Sequence, residues 1–154
     1  METGIMENFL NYYKQSMKLE EREVDSYSPL VLAYIGDAVY EVLVRAKVVN
    51  EGNTQVNKLH KHSSQLVCAG TQAKLVRLLL PELDEEETAV FKRGRNAKSV
   101  TSAKNASVLD YRQATGFEAL VGWLFLSEQF KRLIFLVSRG LEKIGEIEPC
   151  DTKN

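Results

Sequence analysis

SPLVLAYIGDAVYEVLVRAKVV, residues Ser28 to Val49, decides the fold of this chain. Asp37, Glu41 and Arg45 recur four residues apart, so on a helix they line up as one thin polar stripe. Leu, Val, Ile, Ala and Tyr fill the rest of the circumference, the profile of a helix surrounded by protein. Ser28 caps the start, and Pro29 loses nothing there by lacking an N–H. Asn50-Glu51-Gly52-Asn53 reads as a turn, which predicts a helix ending near Val49. Asp37 is the only charge between Asp25 and Glu41. Burying an ionised carboxylate costs several kcal/mol unless a partner compensates it, so Asp37 has either a neutralising cation or a task. Gly36, directly before it, costs about 1 kcal/mol against alanine in a helix interior. It marks the close approach of a helix or a ligand, or else simple packing.

The same anomaly occurs a second time. A buried helix is expected from Ser107 to about Ser127, and from Gln113 onwards, QATGFEALVGWLFLS, its only charge is Glu118. If the two helices pack side by side, Asp37 and Glu118 face each other. Adjacent carboxylates repel unless protonated or bridged by a cation. A hard divalent ion, Mg²⁺ or Mn²⁺, bound by one or two carboxylates and completed by water, resolves both burials. Such an ion suits phosphodiester hydrolysis. Structural ion pairs with Arg45 or Arg112 are the alternative.

The remaining segments read as further helices. Residues 1–24 are weakly periodic, with Phe9, Leu10, Tyr13 and Met17 on one face of a short helix or arm. Thr54 is expected to cap a short helix through about His60. A longer one carries Leu66, Ala69, Gly70, Ala73, Val76 and Leu79 and ends at Pro81. His60 and His62, two apart, point away from each other on a helix and do not share a metal. Asp84 to Arg93 has a capping-box spacing at Asp84 and Glu87 and complementary charges at its two ends, with Gly94 placed to close it in a left-handed conformation. From Lys92 to Ala106 there are five basic residues, Lys92, Arg93, Arg95, Lys98 and Lys104, and no acid. That segment reads as a mobile basic loop suited to phosphate oxygens and sugar hydroxyls, or as an ordinary solvated loop. A last helix, about Glu128 to Ile144, sets Phe130, Leu133, Ile134, Val137 and Leu141 on one face. No segment alternates like a strand, so the chain is expected to be all-α.

At 154 residues one domain is expected, and 44% hydrophobic content suffices for its core. A net charge of −1 requires any nucleic-acid site to be a local basic patch. Cys68 and Cys150 lack metal or disulfide-scaffold spacing and read as free thiols. No basic-then-apolar leader and no uncharged apolar run of about 18 residues is present, so neither secretion nor a membrane span is expected, and the cytoplasm is the default.

The motifs taken together resemble a family. LAYIGDAVYE is similar to the signature helix of ribonuclease III, and GFEALVGWLFL to that family's second, Phe-Glu-Ala-Leu helix. LAYIGDAVYEVLVR, LHKHSS, FKRGRNAKS and YRQATGFEALVGWLFL, in that order, resemble its short bacterial form, Mini-ribonuclease III. The likeness spans about residues 28–140. It implies a helical endonuclease-domain bundle over residues 25–145, with an arm at 1–24 and a tail at 146–154. It implies a homodimer, Mg²⁺ dependence, cleavage of double-stranded RNA and maturation of the 23S ribosomal RNA precursor, with a ribosomal protein as a candidate accessory. Asp37 and Glu118 then stand as the catalytic metal ligands, and Lys92, Arg93, Arg95, Lys98 and Lys104 as the RNA grip. The larger family usually carries an acid where this chain has Ala33 and another where it has Thr115, and adds a double-stranded RNA-binding domain for which no room is expected after Gly145. Glu41 and Asp110 are then either water-mediated helpers or ion-pair residues. Two rival readings are a non-cutting RNA- or ribosome-binding domain and a helical protein-interaction module.

Overall fold

The computed structural model describes residues 4–98 and 107–148, so Lys104 and Cys150 lie outside the described residues. Among those residues there are seven α-helices and no strand, as expected for an all-α chain. They are α1 (Ile5–Ser16), α2 (Pro29–Val49), α3 (Val56–Val67), α4 (Ala69–Leu79), α5 (Glu85–Asn96), α6 (Val108–Leu126) and α7 (Phe130–Lys143). Ser28 Oγ accepts from the Val31 N–H to cap α2, and Ser107 Oγ accepts from the Asp110 N–H to cap α6.

α6 is the hub. Ala114, Gly116, Phe117 and every residue from Ala119 to Leu124 are buried, and α2, α4, α5 and α7 pack around them. Tyr40 of α2 meets Phe117 edge-on with ring centroids 5.2 Å apart and donates its hydroxyl to the Leu66 carbonyl at 2.9 Å. Each such ring contributes about 1.5–3 kcal/mol by burial alone. Trp123 Nε1 donates to Asp25 at 3.2 Å, fixing the turn that leads into α2. α1 buries only Leu10.

α2 and α6 cross with their main chains in contact. A Cβ on Gly36 would lie 1.7 Å from the Glu118 carbonyl oxygen, and one on Gly122 would lie 2.0 Å from that of Leu32. Only glycine permits this approach, which answers the question left open at Gly36 in favour of a neighbouring helix.

Four expectations are corrected. α2 is not enclosed all round: Val31, Tyr34, Ala38, Val42 and Val49 are exposed, with Tyr34 at 83%. An apolar helix face looks the same in sequence whether it meets its own core or is left open. Second, α3 starts after Gln55 and runs to Val67, past His60, and the break falls at Cys68, whose backbone is extended. Side chains of the next helix close the α3 end: Thr71 Oγ1 donates to the Gln65 carbonyl at 2.6 Å and Gln72 Nε2 to that of Val67 at 2.8 Å. Third, Gly94 does not end α5 in a left-handed turn. It sits inside the helix against Gly116 and Ala119 of α6, and its role is close packing. Fourth, Ile134 is 49% exposed, although Leu133, Val137 and Leu141 beside it face the core.

The charges of α5 do more than complement its dipole. Asp84 and Glu87 form the expected capping box, but Glu87 is also buried, gripped by Arg132 of α7 through two 2.8 Å bonds. Arg132 also donates to the Glu82 carbonyl at 2.8 Å. Burial would raise the Glu87 carboxyl, but Arg132 and the Asp84 N–H outweigh it and hold the group below its ordinary range.

Candidate active site

The α2–α6 crossing decides where the two isolated acids stand. Gly36 rests on the Glu118 peptide, and Asp37, the next residue, is near enough for its charge to act on the Glu118 carboxyl. Glu118 is half-buried, and burial, then the neighbouring Asp37 charge, pushes its carboxyl up to about 8, against the opposing pull of a hydrogen bond from Gln72. Asp37 is exposed, not buried as its apolar setting in the sequence suggests, because it lies on the open side of α2. The protein that does flank it still raises its carboxyl, and Glu41 adds to this.

Neither acid has a cationic partner among the described residues. Arg45 is taken by Glu41, with bonds of 2.5 and 3.0 Å, and Arg77 by Asp110 at 2.5 Å. Glu41 and Asp110 are thus ion-pair residues, and Arg45 is not the neutraliser of Asp37. Ala33 is a core residue, and Thr115 turns its hydroxyl to the Tyr111 carbonyl at 3.0 Å, so neither position brings a further carboxylate. No cluster of three or more acid, histidine or cysteine side chains suited to a metal occurs among the described residues. The donor set is two oxygen acids with no cation between them. It fits a hard divalent ion that keeps most of its waters and does not fit one needing a full protein cage.

Lys92 and Arg93 stand on the last turns of α5, as expected of a helix running to Arg93, and Arg95 stands there too instead of in the basic loop; among the described residues only Lys98 of the five follows the helix. The acidic first turn and the packing of Gly94 carry the helix on to Asn96. Lys92, Arg93 and Lys98 are exposed, while the Arg95 guanidinium lies 5.7 Å over the Phe91 ring. Gly94 touches Gly116 and Ala119, so the basic end of α5 runs along the segment of α6 that carries Glu118. His62 contacts Glu51 and Glu146, both at 3.2 Å, and has no metal-site neighbour.

Sequence reasoning does not single out Gln72. It is 1% exposed on α4, its Nε2 donates to the Val67 carbonyl at 2.8 Å, and it opposes the rise of the Glu118 carboxyl. The signal is a polar residue on the buried stripe that continues through Leu75, Val76 and Leu79.

Comparison with known proteins shows the family. The Ribonuclease III domain model matches residues 30–129, which contain both acids and the whole α2–α6 crossing. A Mini-ribonuclease 3 of Clostridium tetani is 52% identical over 114 residues, 73% of this chain and 76% of that protein. Another, of Enterococcus faecalis, is 46% identical over 127 residues, 81% of this chain and 96% of that protein. The crystal structure of a protein from Fusobacterium nucleatum superposes with a TM-score of 0.72 at 26% identity, covering 80% of this chain and 99% of its own. With a helical fold built on the crossing of the two signature helices, the chain belongs to the ribonuclease III family in its Mini-ribonuclease 3 branch, and is an endoribonuclease of that type.

Proposed function

We propose that Asp37 and Glu118 hold Mg²⁺, with Mn²⁺ as a substitute, and that the chain cuts double-stranded RNA there as a homodimer. The observation that supports this reading is the glycine-mediated crossing, with the Asp37 charge acting on the Glu118 carboxyl and neither acid in an ion pair among the described residues. Enzymes of the family generally depend on a divalent metal. When bound, the ion supplies an activated water and charge stabilisation for in-line displacement at phosphorus. The chain's own part is to hold the carboxylates in register and to bind the duplex. Lys92, Arg93 and Lys98, exposed and unpaired by carboxylates among the described residues, offer phosphate contacts beside the Glu118 segment. Arg95 contributes from the same turn, and Lys104 belongs to this proposal from its place in the sequence.

The exposed apolar stripe of α2 supports the dimer. Val31, Tyr34, Ala38 and Val42 follow helical spacing beside Asp37. Two copies joined there would carry two acid pairs on one assembly, one for each strand. The 23S ribosomal RNA precursor as substrate, a ribosomal protein as accessory and the cytoplasm as location follow from the likeness to the short bacterial form, and the catalytic unit is then residues 25–145. Among the described residues no helix is long and apolar enough to cross a membrane.

The test is cleavage of a duplex from the 23S precursor in Mg²⁺, with Asp37→Asn and Glu118→Gln alongside. Cutting by the parent, giving 5′-phosphate ends, and none by either folded variant is the expected result. Duplex binding with no cutting by the parent would instead favour a non-catalytic RNA-binding domain.

A further inference from the structure

Among the described helices α1 is the least covered by its own chain, with Leu10 its only buried residue. Successive residues of a helix turn by about 100°. Tyr12, Ile5 and Phe9 therefore share one stripe, and Tyr13, Met6, Met17, Leu10 and Lys14 follow in order round one flank. Exposure falls in the same order. Leu10 is buried and Lys14, beside it, contacts Glu128 at 3.7 Å, so this edge of α1 rests on the turn between α6 and α7. Met6, Tyr13 and Met17 are half-exposed, and Ile5, Phe9 and Tyr12 are 62–90% exposed. Glu7, Asn11 and Gln15 lie on the opposite side. One leucine and one ion pair of half-exposed groups are a slender hold on a twelve-residue helix, a length that is marginal alone in water.

The position of α1 says what covers it. The Lys14–Glu128 contact sets α1 at the C-terminal end of α6. At that same end Trp123 Nε1 donates to Asp25, and Gly122 lies against the Leu32 carbonyl, which brings in the start of α2. The exposed side of α2 begins there, at Leu30 and Val31. Two open apolar surfaces are thus anchored on one end of α6. A stable interface buries about 800 Å² a side. The α2 stripe offers one ring, Tyr34, with Val31, Ala38 and Val42, and falls short of that alone. The rings of Phe9 and Tyr12 each add about 150–250 Å² when covered. The stripe holds no charged side chain, which suits a protein face and not a phosphate backbone.

We propose that α1 is a dimerisation arm whose Ile5–Phe9–Tyr12 stripe packs on a second copy of this chain, beside the α2 stripe. The inference rests on the homodimer read above. In a two-fold pair each copy gives and receives the same contact, so two arms flank the central α2 stripes. Each arm then owes its order to the partner more than to its own bundle.

The test is the dimer dissociation constant of the full chain by sedimentation equilibrium, for the parent and for a variant carrying Ile5→Ser, Phe9→Ser and Tyr12→Ser together. All three side chains are exposed, so the core stays intact, which the fluorescence of buried Trp123 checks. The expected result is a dissociation constant raised about 30-fold or more, the usual effect of truncating aromatic anchors at an interface. Asn11→Ser with Gln15→Ser, on the opposite side of α1, should leave it unchanged. A folded stripe variant that dimerises as tightly as the parent, or an equal loss in the Asn11 and Gln15 variant, overturns the arm and leaves the homodimer standing. A stripe variant that keeps the parent's dimer but loses duplex affinity overturns it too, and assigns the stripe to the RNA surface. A parent that stays monomeric at every concentration overturns the homodimer itself, and this inference with it.

Discussion

Glu118→Gln should make the metal-free protein more stable while ending cleavage, and the gain should grow with pH. Folded, the Glu118 carboxyl sits at about 8, raised by burial and then by Asp37, against an ordinary value of 4.5. An acid whose folded value is raised holds its proton more tightly in the folded chain than in the unfolded one. Stability therefore falls as pH rises from 4.5 towards 8, and is unaffected below that window. At ~1.4 kcal/mol per pH step, the penalty at pH 7 is about 3 kcal/mol. The side chain is only half-buried, and water at its edge reduces this to about 2 kcal/mol. Glutamine has the same shape and no charge to confine. In EDTA the variant should match the parent at pH 4.5 and melt several degrees higher at pH 8, given about 2–4 °C per kcal/mol for a chain of this size. Added Mg²⁺ should then stabilise the parent and leave the variant unchanged, because only the parent keeps both acids. Melting curves at the two pH values, with and without Mg²⁺, test this directly. A variant that gains nothing at pH 8, or gains equally at pH 4.5, would refute the placement of two strained carboxylates at this crossing.

Three further outcomes follow from the geometry. Gly36→Ala puts a methyl carbon into the Glu118 peptide oxygen and should cost more than about 3 kcal/mol by forcing α2 from α6, as read by urea unfolding. Glu87→Ala leaves Arg132 facing a void and should cost about 3–5 kcal/mol; because the Glu87 carboxyl is held below its ordinary range, that difference should be complete above the usual carboxylate range and vanish as acid titrates the parent, which a pH series of melts would reveal. Lys92→Ala combined with Arg93→Ala should weaken duplex binding regardless of sequence and flatten its salt dependence by about two phosphate contacts, measured by filter binding in Ca²⁺ across a salt series.

Much of this architecture is local in origin and so is visible in the sequence. Ser28-Pro29 announces a helix start through its own chemistry and its cap forms as read, and the helix expected from Ser107 is capped by that residue's hydroxyl. Asp37 and Glu118 stand out because each is isolated in an apolar run, and at the crossing the Asp37 charge acts on the Glu118 carboxyl. What could not be read depends on partners distant in the chain. Arg132 meets Glu87 across 45 residues, and nothing near Glu87 announces it. Gln72 looks like an ordinary polar position until α6 is laid against α4. Gly94 illustrates a different ambiguity: a glycine near a helix end serves equally as a left-handed stop or as a contact point, and only the neighbouring Gly116 decides between them. Tyr34 and its neighbours on α2 are ambiguous in the same way, since hydrophobicity does not say whose core it will fill.

The meeting of α2 and α6 without intervening side chains has a consequence for ion choice. Here the spacer is the peptide backbone itself, Gly36 on Glu118 and Leu32 on Gly122. Under the metal site proposed above, repacking the surrounding core leaves the main-chain spacing under Asp37 and Glu118 nearly fixed, so drift in sequence should alter stability long before it alters the ionic radius accepted.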